Sequence, residues 1–258
     1  MAKTKIAWAT ESWNPVRYLD GWMCTKVSPG CLHCYAERMN LRFGNGLNYD
    51  SAPLSLDGWR LDEKVLNLPF HWRKPRRVFV QSMGDLFHEQ ISIAFLTHIF
   101  DTIEECPQHT FLILTKRPEN IKRLWTNQSD DPACSWRYMR EGTILPNVWL
   151  GVTVESEKYL HRVNALNEIA AAVKFVSLEP LLEEIHIESY LKYLNQVIVG
   201  PETGPHRRPC KPEWIENIIE QCDAAKVPVF VKAFPFGNRI SHDPAEWPEW
   251  ARRREYPK

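Results

Sequence analysis

The sequence has no apolar run approaching the about 20 residues needed to span a bilayer. Its opening residues, Met1-Ala2-Lys3-Thr4-Lys5-Ile6-Ala7-Trp8, lack the apolar core and small-residue cleavage site of a secretory signal. Both absences lead to the expectation of a cytoplasmic protein with no membrane partner. Net charge is also missing, because 32 Lys and Arg balance 32 Asp and Glu. That argues against a protein held on DNA by its overall field, although the basic runs at residues 71–77 and 252–254 leave room for local phosphate contacts. There is no Walker A loop and no dinucleotide fingerprint, so a nucleotide cofactor gripped by its phosphates is not expected. Repeats and low-complexity segments are absent as well. Cysteine is sparse and odd in number, seven in 258 residues, which fits thiols or metal ligands better than disulfides.

What remains is ordinary globular material, 44% hydrophobic and 25% charged. Its length is close to the ~250 residues of a (β/α) barrel. Past residue 75 short β-branched and aromatic runs alternate with helical periodicity. The strand candidates are Arg77–Gln81, Thr110–Thr115, Asn147–Thr153, Val173–Leu178, Gln196–Gly200 and Pro228–Lys232, with a seventh near Ile6–Trp13. Each is nearly continuously apolar, as parallel strands buried on both faces are. Helices are expected at Tyr35–Phe43, Ile93–Glu104, Pro118–Trp125, Ser156–Ala171 and Pro212–Lys226. The pattern predicts right-handed βαβ units and a single α/β domain over residues 1–258, a partial (β/α) barrel of six or seven parallel strands. A doubly wound open sheet is the alternative that periodicity leaves open. Residues 44–75 and 127–146 break the rhythm and are read as insertions on one rim.

Function in such folds collects where strands run into the following loops. Here the strand ends carry Ser82-Met83-Gly84-Asp85, Thr115-Lys116-Arg117, Thr153-Val154-Glu155, Ser177-Leu178-Glu179, Glu202 and Lys232. Four acids and three bases at one end suit a zwitterionic or multiply charged ligand. Capping of the next helix or pairing among themselves is the plainer reading of any one of them.

Three cysteines stand together at Cys24, Cys31 and Cys34, in a loop over residues 22–36 that bends through Ser28-Pro29-Gly30. Three chemistries compete for them. Structural zinc wants four closed ligands, and His33 cannot easily serve the same ion as its neighbour Cys34. A redox pair of Cys31 and Cys34 leaves Cys24 unexplained. An iron–sulfur cluster on three thiolates leaves one iron open to bind and activate a ligand. Cys106, Cys134, Cys210 and Cys222 are isolated.

The run Trp13-Asn14-Pro15, Cys24-Thr25-Lys26-Val27-Ser28-Pro29-Gly30-Cys31 and Cys34-Tyr35-Ala36-Glu37 resembles the phage-associated three-Cys-motif family, a domain of unknown function related to the radical S-adenosylmethionine (SAM) enzymes. The likeness continues through residues 82–88, 114–118, 147–155 and 175–182. It implies a [4Fe–4S] cluster on Cys24, Cys31 and Cys34 that reductively cleaves SAM to start radical chemistry on an unknown substrate, with a nucleic acid or nucleotide as the suggested class. It places His33 near the adenine, Ser82 and Asp85 at the SAM amino group, and Thr153 and Glu155 at the ribose. Lys116, Arg117, Glu179, Glu202 and Lys232 are left for the substrate. A flavodoxin or ferredoxin is the implied reductant. The spacing of six and then two residues between the cysteines, where radical SAM enzymes use three and two, requires the cluster loop to bulge.

Two other classes stay open. One is a zinc- or cluster-stabilised nucleic-acid-binding protein without catalysis, supported by Trp59, Arg60, Trp72, Arg73, Arg76 and Arg77 and by Trp136, Arg137, Tyr138 and Arg140. Packing of those tryptophans under arginine stems is the plainer account. The other is a metal-dependent hydrolase on His88, Asp85 and Glu155, for which no compact motif speaks.

Overall fold

A computed structural model describes residues 4, 6–50, 55–121 and 144–257 of the chain. In order along it run β1 (Glu11–Trp13), β2 (Val16–Tyr18), α1 (Tyr35–Phe43), β3 (Trp59–Leu61), α2 (Glu63–Leu66), β4 (Arg77–Val80), α3 (Ile93–Glu104), β5 (Thr110–Thr115) and β6 (Val148–Thr153). There follow α4 (His161–Asn167), β7 (Val173–Leu178), α5 (Glu188–Leu191), β8 (Gln196–Val199), α6 (Pro212–Ala225), β9 (Val229–Val231), β10 (Phe234–Phe236) and β11 (Arg239–Ser241).

Seven strands form one sheet in the order β1-β4-β5-β6-β7-β8-β9. The pairs β1–β4, β4–β5, β7–β8 and β8–β9 are parallel. The order follows the chain without a reversal. A doubly wound sheet has a switch point where the order turns back, so the topology is that of a partial α/β barrel. β1 supplies the seventh strand expected near the N-terminus. No described helix is long and apolar enough to cross a membrane.

The chain forms two compact units. One comprises Met1–Val27, Cys34–Leu150 and Ile169–Ala172, the other Ser28–His33, Gly151–Glu168 and Val173–Lys258. In the first, α3 starts where Ser92 accepts a hydrogen bond from the Phe95 N–H at 3.3 Å, a side-chain cap. It buries Leu96, Ile99, Phe100 and Ile103, the stripe that 3.6-residue periodicity dictates. The stretch 44–75, expected as an insertion, contains β3, which pairs antiparallel with β2. Trp59 and Trp72 within it are buried, and the Arg76 guanidinium lies 5.7 Å over the Trp72 ring. These tryptophans are core, not free stacking platforms. Of the helix expected at Pro118–Trp125, residues 118–121 are helical and the remainder lies outside the described residues. So do residues 127–143 of the second insertion, with Cys134, Trp136, Arg137, Tyr138 and Arg140.

In the second unit, α6 opens with Pro212 in its first turn, buries Ile215, Ile218, Ile219 and Cys222, and ends at Lys226 in the left-handed region. The expected helix over residues 156–171 is shorter, a 3-10 turn at Glu157–Tyr159 followed by α4. β10 and β11 form an antiparallel pair turned through Gly237 at φ +55°.

Candidate functional site

The sequence-predicted acids and bases stand at the carboxyl ends of the sheet strands, and each acid already holds a cation. In the first unit, Asp85 follows β4 and is buried. One carboxylate oxygen accepts from the Phe87 N–H (3.0 Å) and the Thr115 hydroxyl (2.7 Å). The other accepts from the Lys116 N–H (3.0 Å) and Arg117 Nη1 (3.2 Å). Four donors fill the usual capacity of a carboxylate. Lys116 thus contributes through its backbone, and its ammonium pairs with no carboxylate among the described residues.

The segment before Asp85 is held just as closely. Asn14 Oδ1 accepts from the Ser82 hydroxyl (3.2 Å) and the Met83 N–H (2.9 Å). The carbonyls of Ser82 and Met83 accept from the hydroxyls of Tyr35 and Tyr49. Burial, followed by the charges of Cys34 and Cys24, pushes the Tyr49 hydroxyl far above its ordinary range. Cys34 caps α1 with its backbone and makes no side-chain cap bond. Cys24 Sγ lies 3.7 Å from Arg117 Nη1.

His88 also lies in the first unit. Its Nδ1 accepts from the Gln90 N–H at 3.2 Å, so in the neutral ring the proton sits on Nε2, 3.1 Å from the Thr25 hydroxyl. Burial and then the Arg117 charge lower its pKa. Both nitrogens are occupied.

In the second unit Cys31 ends a short 3-10 turn, Pro29–Cys31, with its sulfur 3.8 Å from the Ser28 hydroxyl. Gly30, in the same turn, donates its N–H to Glu155 at 3.3 Å. Glu155 follows β6, is wholly buried, and takes Arg162 Nη1 on its other oxygen at 2.9 Å. Arg162 also donates to the Thr153 carbonyl at 2.8 Å. Glu155, the residue expected at a ribose, thus ties the Gly30 turn to Arg162.

His33 Nδ1 lies 3.1 Å from Glu202 Oε2. Glu202 also accepts from the Arg208 N–H at 2.7 Å and from Arg208 Nε at 2.9 Å. Burial works against its ionisation, but Arg208 and then His33 outweigh it and hold the carboxyl at about 2. After β7 and β9, Glu179 and Lys232 stand 2.9 Å apart, and the Ser177 hydroxyl donates to Glu179 at 3.2 Å. A Cβ on Gly200 would come within 2.8 Å of Glu179, so the glycine makes room for that carboxylate.

Each of the four strand-end acids is thus paired with a lysine or arginine. Sequence reasoning missed Arg162, Arg208, Tyr49 and Asn14 as partners. Only Asn14 carried a signal, as part of the Trp13-Asn14-Pro15 run.

Among the described residues, Cys106 and Cys222 are buried and Cys210 half-buried, outside the loop. Burial pushes Cys210 and Cys222 up to about 12 and raises Cys106. Among the described residues no group of three or more His, Cys, Asp or Glu converges as the ligands of one ion would. Three thiols within eleven residues, with a guanidinium donor at one sulfur, fit an iron–sulfur cluster in donor chemistry.

Residues 3–247 match the model of a family described as "Protein of unknown function (DUF5131)". No curated protein and no solved structure matches the chain.

Proposed function

Because this chain belongs to the DUF5131 family of unknown function, its chemistry has to be read from its own residues, and we propose that it is a radical SAM enzyme related to phage-associated three-cysteine proteins. The observation that carries this reading is the set Cys24, Cys31 and Cys34 in a chain with the topology of a partial α/β barrel. When bound, a [4Fe–4S] cluster with SAM at its open iron supplies one-electron cleavage of a sulfonium carbon–sulfur bond, which starts radical chemistry.

The protein's own part is to hold and orient. Cys24, Cys31 and Cys34 are the three ligands. Glu155 fixes the loop through the Gly30 N–H, and Arg162 holds the Glu155 carboxylate in place. Asn14, Tyr35 and Tyr49 set the peptide groups of Ser82 and Met83, and this segment is assigned to the SAM amino group, with Asp85 taking it in exchange for one of its present donors. His33, fixed by Glu202, is assigned to the adenine and Thr153 to the ribose. Lys116, Glu179, Glu202 and Lys232 remain for the substrate, for which a nucleic acid or nucleotide is proposed. A flavodoxin or ferredoxin is proposed as electron donor in a cytoplasmic setting.

The test is reduction of the reconstituted protein with dithionite in the presence of SAM. Release of methionine and 5′-deoxyadenosine is expected. Undiminished release by the variant lacking all three cysteines would show the assignment to be wrong.

A further inference from the structure

Arg117 was grouped with the substrate-facing charges, yet its side chain is only 7% exposed and turns to the cysteine loop. Its Nη2 donates to the Thr25 carbonyl at 2.9 Å and to the Thr25 hydroxyl at 2.6 Å. Nη1 is shared between Asp85 Oδ2 at 3.2 Å and Cys24 Sγ at 3.7 Å. Nε donates to Glu89 at 3.0 Å. The Arg117 N–H in turn donates to the Thr115 hydroxyl at 2.9 Å, and that hydroxyl donates to Asp85. A planar fork with five donors makes this set of contacts possible; a lysine ammonium could not reach the sulfur, the Thr25 carbonyl and two carboxylates at once.

We propose that Arg117 is a positioning residue that sets the reduction potential of the centre held by Cys24. This rests on the reading of Cys24, Cys31 and Cys34 as cluster ligands. Hydrogen bonds to cluster sulfurs and nearby charge are main determinants of such potentials. A one-electron reduction adds negative charge to the cluster and its thiolates. A guanidinium donating to one of those sulfurs favours the reduced state, and burial strengthens its effect. Asp85 and Glu89 offset part of that charge. Asp85 is buried and spread over four donors, whereas the Glu89 side chain is 48% exposed, so Glu89 can be neutralised with little disturbance.

The experiment is a redox titration of the anaerobically reconstituted full chain, followed by the EPR signal of the reduced cluster, with iron and sulfide measured in each variant. At a fixed ambient potential the ratio of reduced to oxidised cluster should fall about tenfold or more in Arg117→Gln, a shift of about 59 mV for a one-electron couple. Arg117→Lys should fall less. Glu89→Gln should move the opposite way, because it removes an anion and leaves the donor. Arg117→Gln with full iron and sulfide and a ratio within twofold of wild type overturns the proposal. If that variant holds no cluster, Glu89→Gln decides: a raised ratio supports the role and an unchanged one refutes it. Failure of the wild-type chain to take up iron and sulfide is a different result, which strikes the cluster reading before any variant is compared.

Discussion

Gly30 donates its backbone N–H to Glu155 at 3.3 Å, and a Cβ on Gly30 would stand 3.0 Å from the same carboxylate oxygen. The carboxylate cannot retreat, because it is wholly buried and held by Arg162 at 2.9 Å. Gly30→Ala should therefore cost about 1–3 kcal/mol by overpacking. Glu155→Ala should cost about 3–5 kcal/mol, since it strands the buried Arg162 charge. Urea unfolding measures both. A Gly30→Ala protein as stable as wild type would mean that the turn is not seated on Glu155.

Asp85 makes a similar prediction in the other unit. Its two oxygens accept four hydrogen bonds, and an asparagine would set an NH2 against donors that cannot turn. Asp85→Asn should lose ~3 kcal/mol, or about 6–12 °C in Tm for a chain of this size. A smaller loss than that of a surface carboxylate would contradict the network.

The Glu202 carboxyl is held at about 2, below its ordinary 4.5. A depressed carboxyl contributes stability in full above its unfolded value, and that stability is lost as pH falls through the folded value. The difference in stability between wild type and Glu202→Gln should be greatest above pH 5 and shrink between about 4.5 and 2. A difference that stays constant over that window would show that Arg208 and His33 do not hold the charged form.

Cys24, Cys31 and Cys34 are half-buried, so a single Cys→Ala change removes little packing. Each variant should keep its far-UV circular dichroism and lose iron. Retention of iron by all three would remove the ligand set.

The sheet was legible because buried parallel strands leave continuous apolar runs. Thr110–Thr115 and Val173–Leu178 coincide with β5 and β7, and Ile93–Glu104 with α3. The short antiparallel pairs were not legible, since three residues are too few to show alternation. Within the candidate site, the residue types at the strand ends were readable and their partners were not. Arg162 lies seven residues beyond Glu155 and Arg208 six beyond Glu202, on segments whose local pattern says nothing about which carboxylate they meet. Arg117 was visible as a charge, but its direction depends on a fold that brings Cys24 back across 93 residues.

The most direct measurement is metal and sulfide analysis of the full chain after anaerobic reconstitution, alongside the variant lacking Cys24, Cys31 and Cys34. The account predicts a brown protein with about four iron and four sulfide per chain, absent from the variant. A colourless protein carrying one zinc, or equal iron and sulfide in both proteins, would contradict it.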